Sequence, residues 1–368
     1  MEQDRRSRRY VTDVTMLDLT QDAAALTADL VDVYSESGHE TKLADAVEAA
    51  LKSIPHLVVE RNADAVVART QQNRPQRVAL AGHLDTVPPA ENHPSRRVGD
   101  TIFGLGSADM KSGVAVMLRL AAGISNPKND LTYVFYDGEE VEAERNGLLR
   151  LRRTQPELLA ADFAVLLEPT DAVIEGGCQG TMRIDVTVPG ARAHSARSWM
   201  GENAIHAAGV VIDRLRDYQP RRPTVDGLQY REGLNAVGIR GGVAGNVLPD
   251  ACVVTVNYRF APDRSEKQAE LHLREVFDGF QVTVTDSAPG ARPGLDDPTV
   301  ATFVTAVGGE PRAKFGWTDV ALFSSLGIPA VNYGPGDPHV AHTQGEWVSA
   351  QQILQCEARL SSWLATDQ

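Results

Sequence analysis

The stretch RVALAGHLD at residues 77–85 places a continuous apolar run directly before His83 and Asp85. Such a run is typical of a strand that is buried on both faces, as in parallel sheets covered by helices. Two residues apart on a strand, His83 and Asp85 share one face. The carboxyl ends of parallel strands are where α/β proteins bind ligands. Taken alone, the pair is better explained as two buried structural side chains.

Segments of the same character flank this stretch. Residues 21–35, 41–53 and 111–123 carry apolar positions at helical spacing. Short apolar runs that predict strands lie at residues 58–61, 65–69, 131–137, 161–169 and 327–334. Apolar strands separated by helices indicate an α/β catalytic domain whose central sheet is largely parallel and flanked by helices.

The pattern changes between residues 180 and 290. Alternating segments predict half-exposed strands, and helical segments occur at 202–217 and 265–277. The resulting order of strand, helix, strand, strand, helix, strand is ferredoxin-like. We therefore predict an α+β domain at 180–290, inserted into a catalytic domain that comprises 19–179 and 291–368. Residues 1–18 are predicted to be a disordered N-terminal extension.

Composition excludes several classes of protein. No stretch approaches the roughly 18 apolar residues of a membrane helix, and MEQDRRSRRY at residues 1–10 lacks the apolar segment of a secretory signal. The formal net charge of −13 disfavours nucleic acid as a partner. Cys178, Cys252 and Cys356 are too widely spaced to indicate a disulfide framework or a CxxC zinc motif. A cytoplasmic protein is expected.

Further histidines and carboxylates follow predicted strands or precede a helix. They are Asp109 in GLGSADMKSG (104–113), Glu139 and Glu140 in DGEE (137–140), Glu168 at the end of FAVLLE (163–168), and His342 in GPGDPHVAHT (334–343). Taken singly, these residues have ordinary alternative explanations: Asp109 suits a helix cap, and Glu139 and Glu140 suit a solvated charge run.

Together these residues are harder to explain without cations. Parallel strands bring their carboxyl ends to one edge of a sheet, so the side chains should lie close together. Repulsion among several buried carboxylates is severe unless positive charge compensates it. Carboxylates with imidazoles suit zinc, and five ligands, one of which can bridge, indicate two ions.

The ordered motifs HLDTVP (83–88), GSADMKSG (106–113), DGEE, LLEPT (166–170) and a C-terminal histidine strongly resemble the M20 metallopeptidase family. The match extends over nearly the whole chain from about residue 20. This resemblance implies a zinc-aminopeptidase-like catalytic domain and an inserted domain that forms a homodimer. It also implies two Zn²⁺ per subunit, with Co²⁺ or Mn²⁺ as substitutes.

The resemblance assigns each ligand a role. Asp109 would bridge the ions, His83 and Glu168 would complete one site, and Glu140 and His342 would complete the other. The family pattern continues from the ligand histidine to a glutamate, here Glu346. His342 is therefore preferred over His339, which lies in the same loop.

The remaining catalytic roles also come from the resemblance. Asp85 would orient His83 through its other ring nitrogen, and Glu139 would be the general base. His194, in GARAHSARSWMGENA (190–204), would reach the active site of the partner subunit and stabilise the oxyanion. A solvent-facing loop histidine is the alternative.

The substrate residues implied by the family lie in or near the inserted domain. They are Asn246, Arg259, Gly316, Thr318 and Arg183. Arg259 can hold a carboxylate bidentately, although a surface arginine is the alternative.

Within the family, GCQGTMRIDVTVPGARAHSARSWMGENAIH (177–206) and KFGWTDVALFSSLGIPAVNYGPGD (314–337) are most similar to one branch in high-GC Gram-positive bacteria. That branch hydrolyses N-succinyl-LL-2,6-diaminopimelate. Hydrolysis of acetylornithine or another N-acyl amino acid is the nearest alternative, and a non-catalytic binding protein is a remote one.

Overall fold

A computed structural model describes residues 16–366, and within them the chain divides into two compact units. The small unit comprises Gly176–Pro293 and Ala313–Ala321, and the large unit comprises the other described residues.

The strands follow one another along the chain as β1 (Val58–Asn62), β2 (Ala65–Arg69), β3 (Arg77–His83), β4 (Arg96–Val98), β5 (Thr101–Phe103), β6 (Asp130–Tyr136), β7 (Phe163–Leu166), β8 (Glu175–Gly176), β9 (Gly180–Pro189), β10 (Thr224–Val225), β11 (Leu228–Gln229), β12 (Gly233–Gly241), β13 (Ala251–Phe260), β14 (Gln281–Ala288), β15 (Arg312–Ala313), β16 (Ala330–Asn332) and β17 (Trp347–Ser349). The helices are α1 (Ala23–Asp32), α2 (Thr41–Lys52), α3 (Ser112–Gly123), α4 (Gly147–Thr154), α5 (Ala204–Ala207), α6 (Gly209–Asp217), α7 (Glu266–Val276), α8 (Pro298–Val307), α9 (Val320–Ser325) and α10 (Ala350–Leu364).

The central sheet has the order β1-β2-β6-β3-β7-β16-β8-β15. Its middle strands β6, β3, β7 and β16 are parallel neighbours, whereas β1 and β2 join antiparallel at one edge. Every residue of β6 and β7 is buried, which is why their sequences are near-continuous apolar runs. The predicted α/β fold with a largely parallel sheet is confirmed.

Register aligns the carboxyl ends of the middle strands. His83 at the end of β3 lies opposite Tyr136 at the end of β6. Ala81 of β3 lies opposite Leu166 of β7, and Leu166 lies opposite Asn332 of β16. Residues that immediately follow these strands therefore emerge at one edge of the sheet.

A three-stranded antiparallel sheet, β17-β5-β4, was not predicted from the sequence. Its strands have three residues each, which is too short for a periodic pattern. Trp347 of β17 lies opposite Phe103 of β5. This pairing brings the chain that follows His342 beside the loop that contains Asp109.

The small unit contains the predicted order β9, helix, β12, β13, α7, β14 in an antiparallel sheet arranged β12-β13-β9-β14. This is the ferredoxin-like arrangement, so that prediction is confirmed. Alternate residues of β9 and β13 are buried, consistent with a sheet covered on one face. The helix predicted at 202–217 is broken at Ala208 into α5 and α6.

The segment Ala313–Ala321 groups with the small unit, although the predicted boundaries assigned it to the catalytic domain. Trp317 Nε1 donates a hydrogen bond to the carbonyl of Pro289 at 3.1 Å. Cys178 Sγ lies 3.6 Å from the carbonyl oxygen of Thr318. No local sequence pattern indicates these tertiary contacts. The predicted boundary of the small unit therefore omitted this segment.

Part of the predicted N-terminal extension is described. Leu17 is 4% exposed and packs against the core of the large unit, whereas residues 1–15 lie outside the described residues. Between residues 16 and 366, no helix combines the length and apolar character that crossing a bilayer requires. Cys178, Cys252 and Cys356 are buried free thiols.

Candidate metal centre

The carboxyl edge of the central sheet gathers the five predicted ligands. Three groups each have potential ligand atoms within 4.8 Å of one another: His83, Asp109 and Glu168; His83, Glu139 and Glu140; and Asp109, Glu140 and His342. All of these residues belong to the large unit.

Asp109 is shared between two of these groups. Its Oδ1 lies 3.2 Å from His83 Nε2, and its Oδ2 lies 3.4 Å from His342 Nε2. One carboxylate thus presents a different oxygen to each histidine. This arrangement is compatible with a carboxylate that bridges two ions.

His342 and Glu140 are in direct contact within the group that also contains Asp109. His342 Nε2 lies 2.8 Å from Glu140 Oε1. His339, the competing histidine, is 88% exposed and its Nδ1 lies 2.7 Å from Asp337 Oδ1. The backbone path of the loop therefore directs His342, and not His339, to the group of ligands.

The carboxylates of the candidate centre raise the pKa of both histidines. Hydrogen bonds with Asp109 and Glu140 raise the pKa of His342 to about 10. Burial by itself would lower the pKa of His83, but Asp109, Asp85 and Glu168 together raise it well above the ordinary value. This cluster of carboxylates favours positive charge at the centre, and divalent cations would compensate it more strongly than imidazolium ions would. The donor set of imidazole nitrogens and carboxylate oxygens fits zinc.

Asp85 contacts His83 through its backbone carbonyl and the DGEE loop through its side-chain carboxylate. The Nδ1–H of His83 donates to the backbone carbonyl of Asp85 at 2.9 Å, while the nearest carboxylate oxygen is 3.5 Å away. The carboxylate instead accepts the backbone N–H groups of Glu139 and Glu140, each at 3.0 Å. Ser37 Oγ donates to the same carboxylate at 2.7 Å. Sequence reasoning did not single out Ser37, which lies in the turn between α1 and α2.

Lys111 connects the Asp109 loop to the end of helix α1. It is buried, and its Nζ donates to the carbonyl of Val33 at the end of α1 at 2.7 Å. Burial lowers the pKa of Lys111 to about 7, an effect that the carboxylate of Glu346 opposes. Lys111 and Glu346 both contact this loop, and neither was assigned a role from the sequence.

Two of the predicted residues lie side by side in the small unit. The segments around His194 and Asn246 run antiparallel, and the N–H of Ser195 donates to the carbonyl of Asn246 at 2.9 Å. His194 and Asn246 are both exposed. The Nδ1 of His194 accepts the N–H of Ala196 at 3.0 Å, which leaves Nε2 available to a ligand.

Arg259 and Arg183 lie on neighbouring strands of the same sheet. Arg259 is opposite Thr181, and Arg183 is opposite Asn257, so the two arginines are diagonal neighbours on one face. Burial and the charge of Arg183 lower the pKa of Arg259. Arg183 has a long ion pair of 3.8 Å with Asp286. Within residues 16–366, no hydrogen bond or ion pair engages the Arg259 guanidinium.

The last two predicted substrate residues follow β15. Gly316 is exposed, and Thr318 is 4% exposed. Both lie in the segment of the small unit that contacts Pro289 and Cys178.

Comparison with known proteins places the chain in a family. The model of the peptidase family M20/M25/M40 matches residues 79–366. A Mycobacterium tuberculosis (strain H37Rv) protein with the provisional name succinyl-diaminopimelate desuccinylase DapE is 57% identical over 341 residues, covering 92% of this chain and 96% of that protein. Succinyl-diaminopimelate desuccinylase of Corynebacterium glutamicum is 46% identical over 360 residues, covering 95% and 98%.

A solved structure has the same fold. A tripeptidase from Staphylococcus aureus superimposes with a TM-score of 0.76 at 22% identity, covering 95% of this chain and 98% of that one. Because the family match includes the motifs that form the metal centre, and the two relatives align over almost the whole chain, this protein is a metal-dependent hydrolase of the peptidase family M20/M25/M40.

Proposed function

We propose that the enzyme hydrolyses the amide bond of N-succinyl-LL-2,6-diaminopimelate, giving succinate and LL-2,6-diaminopimelate, with two zinc ions at the metal centre. The observation that carries the chemistry is the position of Asp109, whose two oxygens face different histidines. The relatives that are 57% and 46% identical support the substrate.

His83 and Glu168 would hold one zinc ion, Glu140 and His342 the other, and Asp109 both. Co²⁺ or Mn²⁺ would be accepted by the same nitrogen and oxygen donors. When bound, the ions would polarise the amide carbonyl and lower the pKa of the attacking water.

Glu139 would be the general base. Its carboxylate lies within the 4.8 Å group formed with His83 and Glu140, and it is only partly buried. It accepts a proton from the water as the oxygen attacks the amide carbon. It then passes this proton to the amide nitrogen, so that the C–N bond breaks with an amine as the leaving group. Asp85 holds the backbone of Glu139 during both transfers.

Arg259 would bind the free carboxylate of the succinyl group. Its guanidinium is partly buried beside another cation, Arg183, and this environment favours an anionic ligand. Asn246 lies beside His194, at the opposite end of β13 from Arg259, so it would contact the substrate of the partner subunit together with His194. Gly316 and Thr318 would contact the diaminopimelate end.

His194 would donate a hydrogen bond to the oxyanion in the active site of a partner subunit. A homodimer is supported by the exposed edge of the small unit. Strand β12 lies at the edge of its sheet and exposes Val237 and Ile239, which are 59% and 58% accessible. Val210 of α6 is also 50% accessible. An apolar edge strand suits pairing with a second copy of the chain.

The test compares N-succinyl-LL-2,6-diaminopimelate with N-acetylornithine on the purified, zinc-loaded enzyme, with zinc content measured on the same sample. We expect two zinc ions per chain and a kcat/KM that is greater for the succinylated substrate. Faster hydrolysis of acetylornithine would identify a deacetylase of the same family. Two bound ions without turnover of either substrate would favour a binding protein.

A further inference from the structure

Glu346 connects the loops that carry two of the ligands. It follows His342 by four residues and is 2% exposed. Its carboxylate accepts three backbone N–H groups of the Asp109 loop: Gly106 on Oε2 at 2.9 Å, and Ala108 and Asp109 on Oε1 at 2.9 and 3.0 Å. Its backbone carbonyl accepts a fourth, the N–H of Gly104, at 3.1 Å.

The segment that Glu346 contacts is irregular. Asp109 has φ −119° and ψ 94°, and Met110 has φ −133° and ψ 40°, although regular helix α3 begins at Ser112. Gly106 has a positive φ of 76°, and a Cβ there would lie 2.8 Å from the Thr86 side chain. Irregular backbone of this kind forms no regular hydrogen-bond pattern within the segment, so its buried N–H groups need acceptors from elsewhere in the chain. Glu346 supplies such an acceptor.

The pairing of β17 with β5 explains how Glu346 reaches this loop. Trp347 lies opposite Phe103, and the bond from Gly104 N–H to the Glu346 carbonyl continues the ladder by one step. The chain from His342 to Glu346 is thus fixed against the chain from Gly104 to Asp109. One side chain thereby sets the relative position of Asp109 and His342, whose Oδ2 and Nε2 are 3.4 Å apart.

We propose that Glu346 is a positioning residue that arranges Asp109 and His342 for metal binding before an ion is bound. This inference rests on the ligand assignment in the proposed function. Glu346 lies behind the ligands and acts through the backbone N–H groups of the loop that presents Asp109. Its removal should weaken metal binding by more than the loss of one structural carboxylate elsewhere in the large unit.

The chain offers a matched control in Asp130. This carboxylate is 4% exposed and also accepts two backbone N–H groups, from Gln72 at 2.8 Å and Arg74 at 3.0 Å, together with the Thr70 hydroxyl at 2.8 Å. Asp130 begins β6, whereas the DGEE loop follows the end of the same strand. Asp130→Ala therefore removes a comparable set of bonds at roughly 20 Å from the centre.

The experiment measures zinc dissociation constants, by competition with a chelator, for the native chain, Glu346→Ala, Glu346→Gln and Asp130→Ala. Hydrogen exchange of residues 104–111 is measured on the same proteins without metal. We expect Glu346→Ala to weaken zinc binding by about 10–100-fold and to accelerate exchange in this segment. Glu346→Gln keeps one carbonyl oxygen, which can still accept the N–H groups of Ala108 and Asp109. Its loss of zinc affinity should therefore be smaller than that of Glu346→Ala. Asp130→Ala should alter zinc affinity by less than about threefold.

Two results would overturn the inference: unchanged zinc affinity and exchange in Glu346→Ala, or an equal loss of affinity in Asp130→Ala. If Glu346→Ala does not fold, Glu346→Gln supplies the same comparison. A native chain that binds no zinc would instead overturn the proposed function. Hydrogen exchange in the metal-free proteins would still decide whether Glu346 orders the Asp109 loop.

Discussion

The carboxylate of Asp85 accepts the backbone N–H of Glu139 at 3.0 Å. Its second oxygen accepts the N–H of Glu140 at the same distance. One side chain at the end of β3 therefore fixes the loop that carries both the proposed base and a proposed ligand. The orientation of His83, in contrast, comes from the backbone carbonyl of Asp85, which a substitution of the side chain leaves in place.

Substitution of Asp85 should accordingly disturb the DGEE loop more than His83. We expect Asp85→Ala to reduce zinc affinity by about 10–100-fold and to reduce kcat as well, because Glu139 and Glu140 lose their shared acceptor. Zinc competition and steady-state kinetics measure the two effects. Ser37→Ala removes only one hydroxyl contact to Asp85, so its losses should stay below about tenfold. Equal losses in the two variants would contradict this account.

Replacement of Glu139 by Gln should separate metal binding from turnover. The amide keeps the size of the side chain but cannot accept a proton from water at neutral pH. We expect kcat to fall by about 10²–10⁴-fold, while two zinc ions remain bound. Metal analysis of the purified variant provides the second measurement. Retention of more than a tenth of native kcat would exclude Glu139 as the base.

Zinc affinity should increase with pH, because a bound ion must displace protons from the histidines. The pKa of His342 in the metal-free protein is raised to about 10 from an ordinary value of 6.5. Its protonated form therefore stabilises the metal-free fold below about pH 6.5, and this stabilisation is lost as the pH rises towards 10. Between these values, binding of the zinc ion at His342 releases a proton from that histidine, so the affinity for this ion should rise by about tenfold per pH unit.

Competition titrations at several pH values measure this slope. His339→Ala provides the control, because His339 is 88% exposed and outside the group of ligands. It should retain the native slope and two ions. His342→Ala should lose the second ion. The reverse outcome would transfer the ligand role to His339.

Arg259 should matter more for a succinylated substrate than for an acetylated one. A charged hydrogen bond to a carboxylate contributes about 1.5–3 kcal/mol, so Arg259→Ala should lower kcat/KM for N-succinyl-LL-2,6-diaminopimelate by about 10–100-fold. Activity on acetylornithine should change little. Arg274→Ala is the control in the same unit, because Arg274 pairs with Glu270 on α7. An equal loss on both substrates would argue against recognition of the succinyl carboxylate.

Mixing two inactive variants tests the role of His194 across subunits. His194→Ala retains Glu139, and Glu139→Gln retains His194, so a mixed dimer contains one complete site if His194 acts on its partner. Random exchange of subunits should restore about a quarter of native activity. Ile239→Lys, which places a charge on the exposed edge of β12, should reduce both dimer formation and this recovery. No recovery from stable mixed dimers would show that His194 acts within its own subunit, whereas near-native activity of His194→Ala alone would show that it has no catalytic role.

The ligands on the central strands could be predicted from local sequence. The proposed ligand His83 ends the buried strand β3, and the proposed ligands Glu140 and Glu168 follow the ends of the buried strands β6 and β7 within a few residues. A strand buried on both faces excludes polar side chains along its length, so a histidine or carboxylate marks the point where it emerges. That signal is strong because it depends only on neighbouring residues.

Local sequence did not indicate three other features: the choice between His339 and His342, the position of the segment Ala313–Ala321, and the contacts of Glu346. His339 and His342 occupy the same loop, and the positive φ of 60° at His342 belongs to a path that no periodic pattern indicates. The segment Ala313–Ala321 groups with the small unit through contacts to residues distant in sequence. Glu346 lies more than 230 residues from the N–H groups that it accepts.

By itself, the sequence determined the α/β class, the inserted ferredoxin-like domain and the chemical types of the ligands, because burial and strand periodicity are local constraints. Only the tertiary structure decided that Asp109 faces both histidines, that Asp85 holds the proposed base through the backbone, and that Glu346 connects two loops that carry proposed ligands. These relationships depend on hydrogen bonds between segments far apart in the chain, whose geometry arises only when the strands and loops pack.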